Sequence, residues 1–268
     1  MVVEVSYIKY GSESVRQVIK RSKIDNVNSN GNAPKVIILI HGGAWRDVNN
    51  TCNDFDKFVE KWDNDGQNLL VYSIDYKVSS EQGGKFPQVV IEVLKALEVI
   101  NNDINNNLNI EKDNYNVTLV GHSVGCTFIT QIMEYEKFYT LNKLSIIEHI
   151  NSLVFLEGIY DMKLLHEEYP DYDFFVIEEF ENVESAIKEC NNIGIDEKVI
   201  RYTTMDSIVI VHSHNDELLS LKQPQRMVEW LKNKCNVTND KLNVHYGDFG
   251  LHNEVYENIS DVAQLTTS

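Results

Sequence analysis

The segment Val117-Thr-Leu-Val-Gly-His-Ser-Val-Gly-Cys126 runs a short apolar stretch into Gly121-His122-Ser123-Val124-Gly125 and then into residues with helical spacing. A serine on so tight a strand-to-helix turn needs small neighbours for steric reasons. The helix that begins behind it favours the negative charge that develops during attack on a carbonyl. Ser123 is therefore the candidate nucleophile for acyl transfer. Upstream, Val36–Ile40 ends in His41-Gly42-Gly43-Ala44-Trp45. Two glycines after a strand can be a plain turn. Paired with Ser123 they supply what acyl transfer also needs, the backbone N–H groups of Gly43 and Ala44 joining that of Val124 to hold a tetrahedral oxyanion. His41 reads as a buried hydrogen-bonding prop for that loop, and Trp45 either as a pocket wall or as packing.

A serine nucleophile in this setting takes its acid and then its histidine from later in the chain. His212-Ser-His-Asn-Asp216-Glu217 follows the apolar run Ile208–Val211, and Gly247-Asp-Phe-Gly-Leu-His252 follows Leu242–Tyr246. The order Ser123, Asp216, His252 satisfies the requirement, with Glu217 the main competitor for the acid and Asp248 a lesser one. For the base, His245 falls inside a strand and His122 points beside the nucleophile, which favours His252. His212-x-His214-x-Asp216 begins like a metal-binding signature, but Glu217 stands where the next histidine belongs and no second ligand set follows, so no metal is expected. Cys126, three residues past Ser123, is expected inside the helix as a small apolar filler.

These residues need a scaffold that brings loop ends together. Val36–Ile40, Leu69–Ser73, Val117–Val120, Leu153–Leu156, Ile208–Val211 and Leu242–His245 read as strands, several of them apolar on both faces as buried parallel strands are. Asp54–Trp62, Gln88–Ile100, Ser123–Tyr135, Gln223–Lys234 and Glu254–Ala263 carry apolar residues at helical spacing. The alternation predicts an α/β fold, a mostly parallel sheet covered by helices on both faces. The Asn-rich stretches Asp25–Asn32 and Asn101–Asn109 read as polar loops. Residues 159–201 break the alternation and are acidic and aromatic, so a small cap or lid is expected there, within a single domain spanning residues 1–268. Its tyrosines and phenylalanines serve either as lid core or as a substrate platform, with Trp45 and Tyr160 the candidates for the pocket wall.

Composition bounds the partners. With 24 Lys and Arg against 41 Asp and Glu the net charge is −17, which excludes a general nucleic-acid binder. The longest apolar run, Val36–Ile40, is far short of the roughly 20 residues that span a bilayer, so no membrane partner is expected. The N-terminal stretch lacks the basic start and apolar run of a signal peptide. Cys52, Cys126, Cys190 and Cys235 lie far apart without a C-x-x-C motif, and reduced thiols in the cytoplasm are the expectation. No cofactor is called for, and a homodimer is compatible with the sequence.

Taken together, His41-Gly-Gly-Ala-Trp45, Tyr72-Ser-Ile-Asp-Tyr76, Gly121-His-Ser-Val-Gly125, Gly158-Ile-Tyr160, Glu168-Tyr-Pro-Asp-Tyr172, His212-Ser-His-Asn-Asp-Glu-Leu-Leu219 and Gly250-Leu-His-Asn253 resemble the fungal-type kynurenine formamidases, or arylformamidases, of the α/β-hydrolase superfamily. The likeness runs from about Lys35 to Tyr256. The first and third motifs are shared with many esterases; the tyrosine-rich insertion and the two late blocks make the narrower match. The resemblance implies an α/β-hydrolase fold and hydrolysis of N-formyl-L-kynurenine to L-kynurenine and formate, a step of tryptophan catabolism towards NAD. It also implies Ser123, Asp216 and His252 as catalytic triad and His41–Trp45 as oxyanion motif. The other readings are a general short-acyl carboxylesterase, a serine peptidase and, in a different class, a non-catalytic relative that binds a small ligand.

Overall fold

The structure, a computed structural model, describes residues 2–25, 34–60, 68–107, 115–139, 144–190, 193 and 199–258. Among these, eight strands form one sheet in the order β1-β2-β4-β3-β5-β6-β7-β8. They are β1 (Val2–Lys9), β2 (Val18–Asp25), β3 (Lys35–Ile40), β4 (Leu69–Ile74), β5 (Val117–His122), β6 (Ile150–Leu156), β7 (Ser207–Ser213) and β8 (Leu242–Gly247). β2 runs antiparallel to β1 and β4, and the remaining neighbours are parallel. The helices that follow strands are α1 (Asp56–Glu60), α2 (Gln88–Asn107), α3 (Val124–Ile132), then α4 (Met162–Glu168), α5 (Asp173–Phe180), α6 (Val183–Glu189) and α7 (Arg201–Thr204) between β6 and β7, and finally α8 (Lys222–Asn233) and α9 (Val255–Asn258).

Strand alternation divides the core in two. Ile38, Ile40, Leu119, Phe155, Ile208 and Ile210 face the side covered by α2, α3 and α8. Their neighbours Ile37, Leu39, Val120, Val154, Val209 and Val211 face the other side, against Phe55, Phe58, Val255 and Tyr256 from around α1 and α9. Apolar residues on both faces are what a parallel sheet requires, which is why all six positions of β4 and β5 are buried.

The six expected strands and five expected helices are present among the described residues, with shifted ends; 61–62 and 259–263 lie outside them. Two strands were not anticipated. β2 carries Lys20 and Arg21, which read as surface residues, yet the Lys20 ammonium meets Asp56 at 2.6 Å and the Arg21 guanidinium meets Asp103 at 3.0 Å. Charge paired from the covering helices hides the strand pattern. Of Asn101–Asn109, expected as a loop, 108–109 lie outside the described residues and the rest is corrected: α2 continues to Asn107, because Asp103 and Ile104 are buried and Asp103 also accepts the Tyr72 hydroxyl at 2.8 Å. Most of the Asp25–Asn32 stretch lies outside the described residues.

The order of the strands places the chemistry. The chain steps from β3 out to β4, then returns past β3 to β5, so the loops after β3 and β5 leave the sheet side by side, with Ile40 opposite Gly121. A crevice at such a reversal is where open α/β sheets bind ligands. β6, β7 and β8 follow in turn, and the residues after their carboxyl ends reach the same edge.

Candidate active site

Ser123 stands between β5 and α3 with φ 53° and ψ −117°, a backbone conformation that side chains rarely adopt. Its turn closes only because of two glycines. A Cβ on Gly121 would lie 2.6 Å from the Gly125 carbonyl, and one on Gly125 would lie 2.1 Å from the Ile40 oxygen. The loop after β3 is strained in the same way, with Gly43, Ala44 and Trp45 all at positive φ. Beneath it, His41 stacks on Tyr76 at 4.2 Å, its Nδ1 is 2.8 Å from the Gly42 carbonyl and its Nε2 is 3.3 Å from Asp75, which also meets Arg16 at 2.9 Å. The Tyr76 hydroxyl sits 2.9 Å from the carbonyls of His41 and Gly42. With those carbonyls tied down, the N–H groups of Gly43, Ala44 and Val124 make no hydrogen bond among the described residues.

The carboxyl ends of β7 and β8 meet at an imidazole. His252 Nδ1 is 2.9 Å from Asp216 Oδ2, while Asp216 Oδ1 accepts the backbone N–H groups of Leu218 and Leu219 at 2.8 and 2.9 Å. The Asp216 carboxylate is wholly buried. Burial alone would raise its pKa, but hydrogen bonds from His212 and His252 hold it well below the usual carboxylate range. Glu217 has a different partner: it accepts the His252 backbone N–H at 2.9 Å rather than the ring. Asp248 lies at the surface beside His214. His212 is buried on Asp216 while His214 is half exposed, so the two histidines do not form one ligand set. His245 stays within β8.

His122, read as pointing beside the nucleophile, has a definite partner that sequence gave no means of finding. Its Nε2 is 2.9 Å from the His252 carbonyl. Burial, and then the nearby His252, pull its pKa down to about 3, so the ring is neutral and donates that hydrogen bond. The linked stability is present above the ordinary histidine value near 6.5 and lost as pH falls from there towards 3, by at most about 1.4 kcal/mol per pH unit. Urea midpoints of wild type and His122→Gln should therefore converge on acidification from pH 7 to pH 4; a constant gap would contradict the buried neutral ring.

A cavity of about 450 Å³ opens over these groups, lined by Ser123, His252, Gly43 and Ala44. Among the described residues Ser123 Oγ makes no hydrogen bond, and His252 Nε2 is likewise uncommitted. Such contacts often tighten only once substrate is bound. The lining also includes Phe174 and Phe175 from α5, Leu218, Arg46 and Asp47. Trp45 and Tyr160 are corrected as pocket residues: Trp45 is buried against Phe175 and Phe180, and Tyr160 is buried against Phe155. The aromatic segment after β6 thus divides its labour, with Phe180 in the core and Phe174 and Phe175 on the cavity. Cys126 is buried in α3 with its thiol on the Gly121 carbonyl at 3.1 Å, and burial pushes its pKa up, away from any nucleophilic role. The one metal-ligand grouping among the described residues is His122, Glu157 and His252, but the His122 and His252 nitrogens within it already face the His252 carbonyl and Asp216.

The BD-FAE family, one of α/β-hydrolases, matches residues 24–231. Kynurenine formamidase from Meyerozyma guilliermondii is 34% identical over 97% of this chain and 91% of its own, and that from Saccharomyces cerevisiae is 31% identical over 85% of each. Among solved structures, esterase B from Lactobacillus rhamnosis superimposes with a TM-score of 0.73 at 13% identity, covering 99% of this chain and 84% of that one. The novel thermophilic esterase from Thermogutta terrifontis superimposes with 0.66 at 13% identity, covering 98% and 92%. At that identity the superpositions speak for the fold, whereas the fungal relatives speak for the branch. The chain belongs to the BD-FAE family of α/β-hydrolases and, within it, to the group of the fungal kynurenine formamidases.

Proposed function

We propose that this chain hydrolyses the formamide of N-formyl-L-kynurenine, giving L-kynurenine and formate, with Ser123, His252 and Asp216 as the working groups. The observation that carries this reading is a strained serine sharing one cavity with an imidazole whose far nitrogen rests on a buried carboxylate. His252 Nε2 takes the hydroxyl proton as Ser123 Oγ attacks the formyl carbon, and the oxyanion is held by the free N–H groups of Gly43, Ala44 and Val124. The imidazolium gives that proton to the departing aryl amine, leaving the formyl group on Ser123. Water then adds with His252 as base, and formate leaves. Asp216 fixes the imidazole tautomer and balances its charge without giving up a proton.

The cavity suits an aromatic amino acid. Phe174 and Phe175 give its lining an aromatic surface, and Arg46 lies over the Phe174 ring at 4.8 Å with its Nε on Glu178 at 3.1 Å. Its outer nitrogens are not hydrogen-bonded among the described residues, and they would take the substrate carboxylate, with Asp47 in the same lining for the ammonium. Because Arg46 is partly exposed, the contribution is moderate: Arg46→Ala should raise KM for N-formyl-L-kynurenine about tenfold at similar kcat. A formanilide without the amino-acid arm should show no such change, and equal effects on both would remove Arg46 from the subsite.

Reaction of the protein with a fluorophosphonate, followed by peptide mapping, tests the working groups against the non-catalytic reading. Labelling of Ser123 that N-formyl-L-kynurenine slows is the expected result; an unlabelled protein would reject it. Cys52, Cys126, Cys190 and Cys235 are buried and form no disulfide among the described residues, and no helix among those residues is long and apolar enough to cross a membrane. Both fit our reading of a cytoplasmic enzyme.

A further inference from the structure

Glu157 takes no part in the steps above, yet it lies just past β6, between the strand that carries Ser123 and the strand that leads to Asp216. Its side chain is wholly buried. Oε1 accepts the Ser213 N–H at 3.2 Å, and Oε2 makes no hydrogen bond among the described residues. That bare oxygen is 3.4 Å from His252 Nδ1, the same ring nitrogen that Asp216 meets at 2.9 Å, and 4.0 Å from His122 Nε2. The backbone holds it there at φ 47°, a conformation few residues other than glycine adopt. One imidazole N–H therefore faces two carboxyl groups.

We propose that Glu157 is a positioning residue for this reaction, a second carboxyl on the Nδ1 side of His252 that becomes its counter-ion when Asp216 is removed. The inference rests on the triad reading above. The ionisable groups facing Glu157 are His122 from β5, Asp216 and Glu217 from the loop after β7, His252 from the loop after β8, and Tyr256 from α9. Among the described residues no lysine or arginine stands with them. Two adjacent carboxylates cannot both ionise readily. Burial, and then the charge of Asp216, push Glu157 up to about 10, while Asp216 keeps the hydrogen bonds that hold it ionised. In the intact protein Glu157 is accordingly a neutral acid that fills the space behind the imidazole and leaves the charge on one side. Asp216→Ala removes that charge and opens space beside the buried carboxyl, which relieves part of the burial that is the larger cause, and the imidazolium next to it then favours the ionised form, so its proton leaves to solvent towards the alkaline end of an assay.

The test compares Asp216→Ala, Glu157→Gln and the double variant, each followed with N-formyl-L-kynurenine and with p-nitrophenyl acetate across pH. Loss of the acid from a triad costs about 10⁴-fold where no substitute exists. Here Asp216→Ala should fall only about 10²-fold, and its residual kcat/KM should climb with pH as Glu157 ionises. Adding Glu157→Gln, which keeps the shape of the neutral acid, should lower that residue at least another tenfold and flatten the climb, although Glu157→Gln alone costs less than tenfold. Glu157→Asp in the Asp216→Ala background draws the carboxyl back from Nδ1 and should do the same, which keeps the comparison open if the double variant folds poorly. Equal rates and equal pH profiles for Asp216→Ala and the double variant would overturn the proposal. Turnover by wild type that survives Ser123→Ala would instead overturn the triad reading beneath it, so the two failures are distinct.

Discussion

Replacing Ser123 with alanine should lower kcat for N-formyl-L-kynurenine by about 10⁴-fold or more while leaving the thermal unfolding midpoint close to that of wild type. The size follows from chemistry: without Oγ there is no formyl-enzyme, and what remains is water attacking a formamide held near Gly43, Ala44 and Val124. The small stability effect follows from geometry, since Oγ faces the cavity and makes no hydrogen bond among the described residues. Alanine at φ 53° even shares the strain already present. Steady-state kinetics beside a thermal melt check both halves. Retention of more than a few per cent of activity would mean that another group attacks the formyl carbon.

Gly125→Ala should produce the second large effect, this time on fold and activity together. A Cβ there would lie 2.1 Å from the Ile40 oxygen, 2.9 Å from the Ile40 carbonyl carbon and 3.0 Å from the His41 oxygen. All three are backbone atoms where β3 runs into the loop that carries the free N–H groups, so neither a rotamer change nor a flexible neighbour relieves the clash. Forcing α3 and β3 apart is expected to cost about 3 kcal/mol, at the upper end for one added carbon in a packed core. The same movement separates Val124 from Gly43 and Ala44, and a displacement of roughly 1 Å between cooperating groups costs about 10²-fold in rate. A variant that melts and turns over like wild type would show that the elbow has slack that its close contacts do not suggest.

How much of this was open to sequence reading depended on how local each determinant is. The strand-turn-helix around Ser123 is a local steric pattern, and glycines at 121 and 125 announce it. The acid was harder, because Asp216 and Glu217 are adjacent and both bond to His252; only the fold shows that one takes the ring and the other the backbone. Arg46, Phe174 and Phe175 reach the cavity through the packing of α5 on the loop after β3, which no spacing reports. Trp45 and Tyr160 were misjudged for the converse reason: large aromatics beside a motif are as apt to close the core as to line a pocket, and here both do the former. Glu157 was invisible because an isolated acid after an apolar run carries no signal until the sheet sets it against an imidazole from another strand. The strand β2 was missed because its lysine and arginine are neutralised by aspartates from distant helices.

The central claim of the functional reading is that a formamide, rather than an ester, is the preferred substrate. The direct measurement is kcat/KM of the purified protein for N-formyl-L-kynurenine, followed by kynurenine absorbance, beside p-nitrophenyl acetate and butyrate. A value for the formamide well above both esters, with acetate ahead of butyrate because the reacting acyl group carries a single carbon, is the predicted result. Good ester turnover with negligible formamide hydrolysis would contradict it, leaving the triad in place and making the protein an esterase.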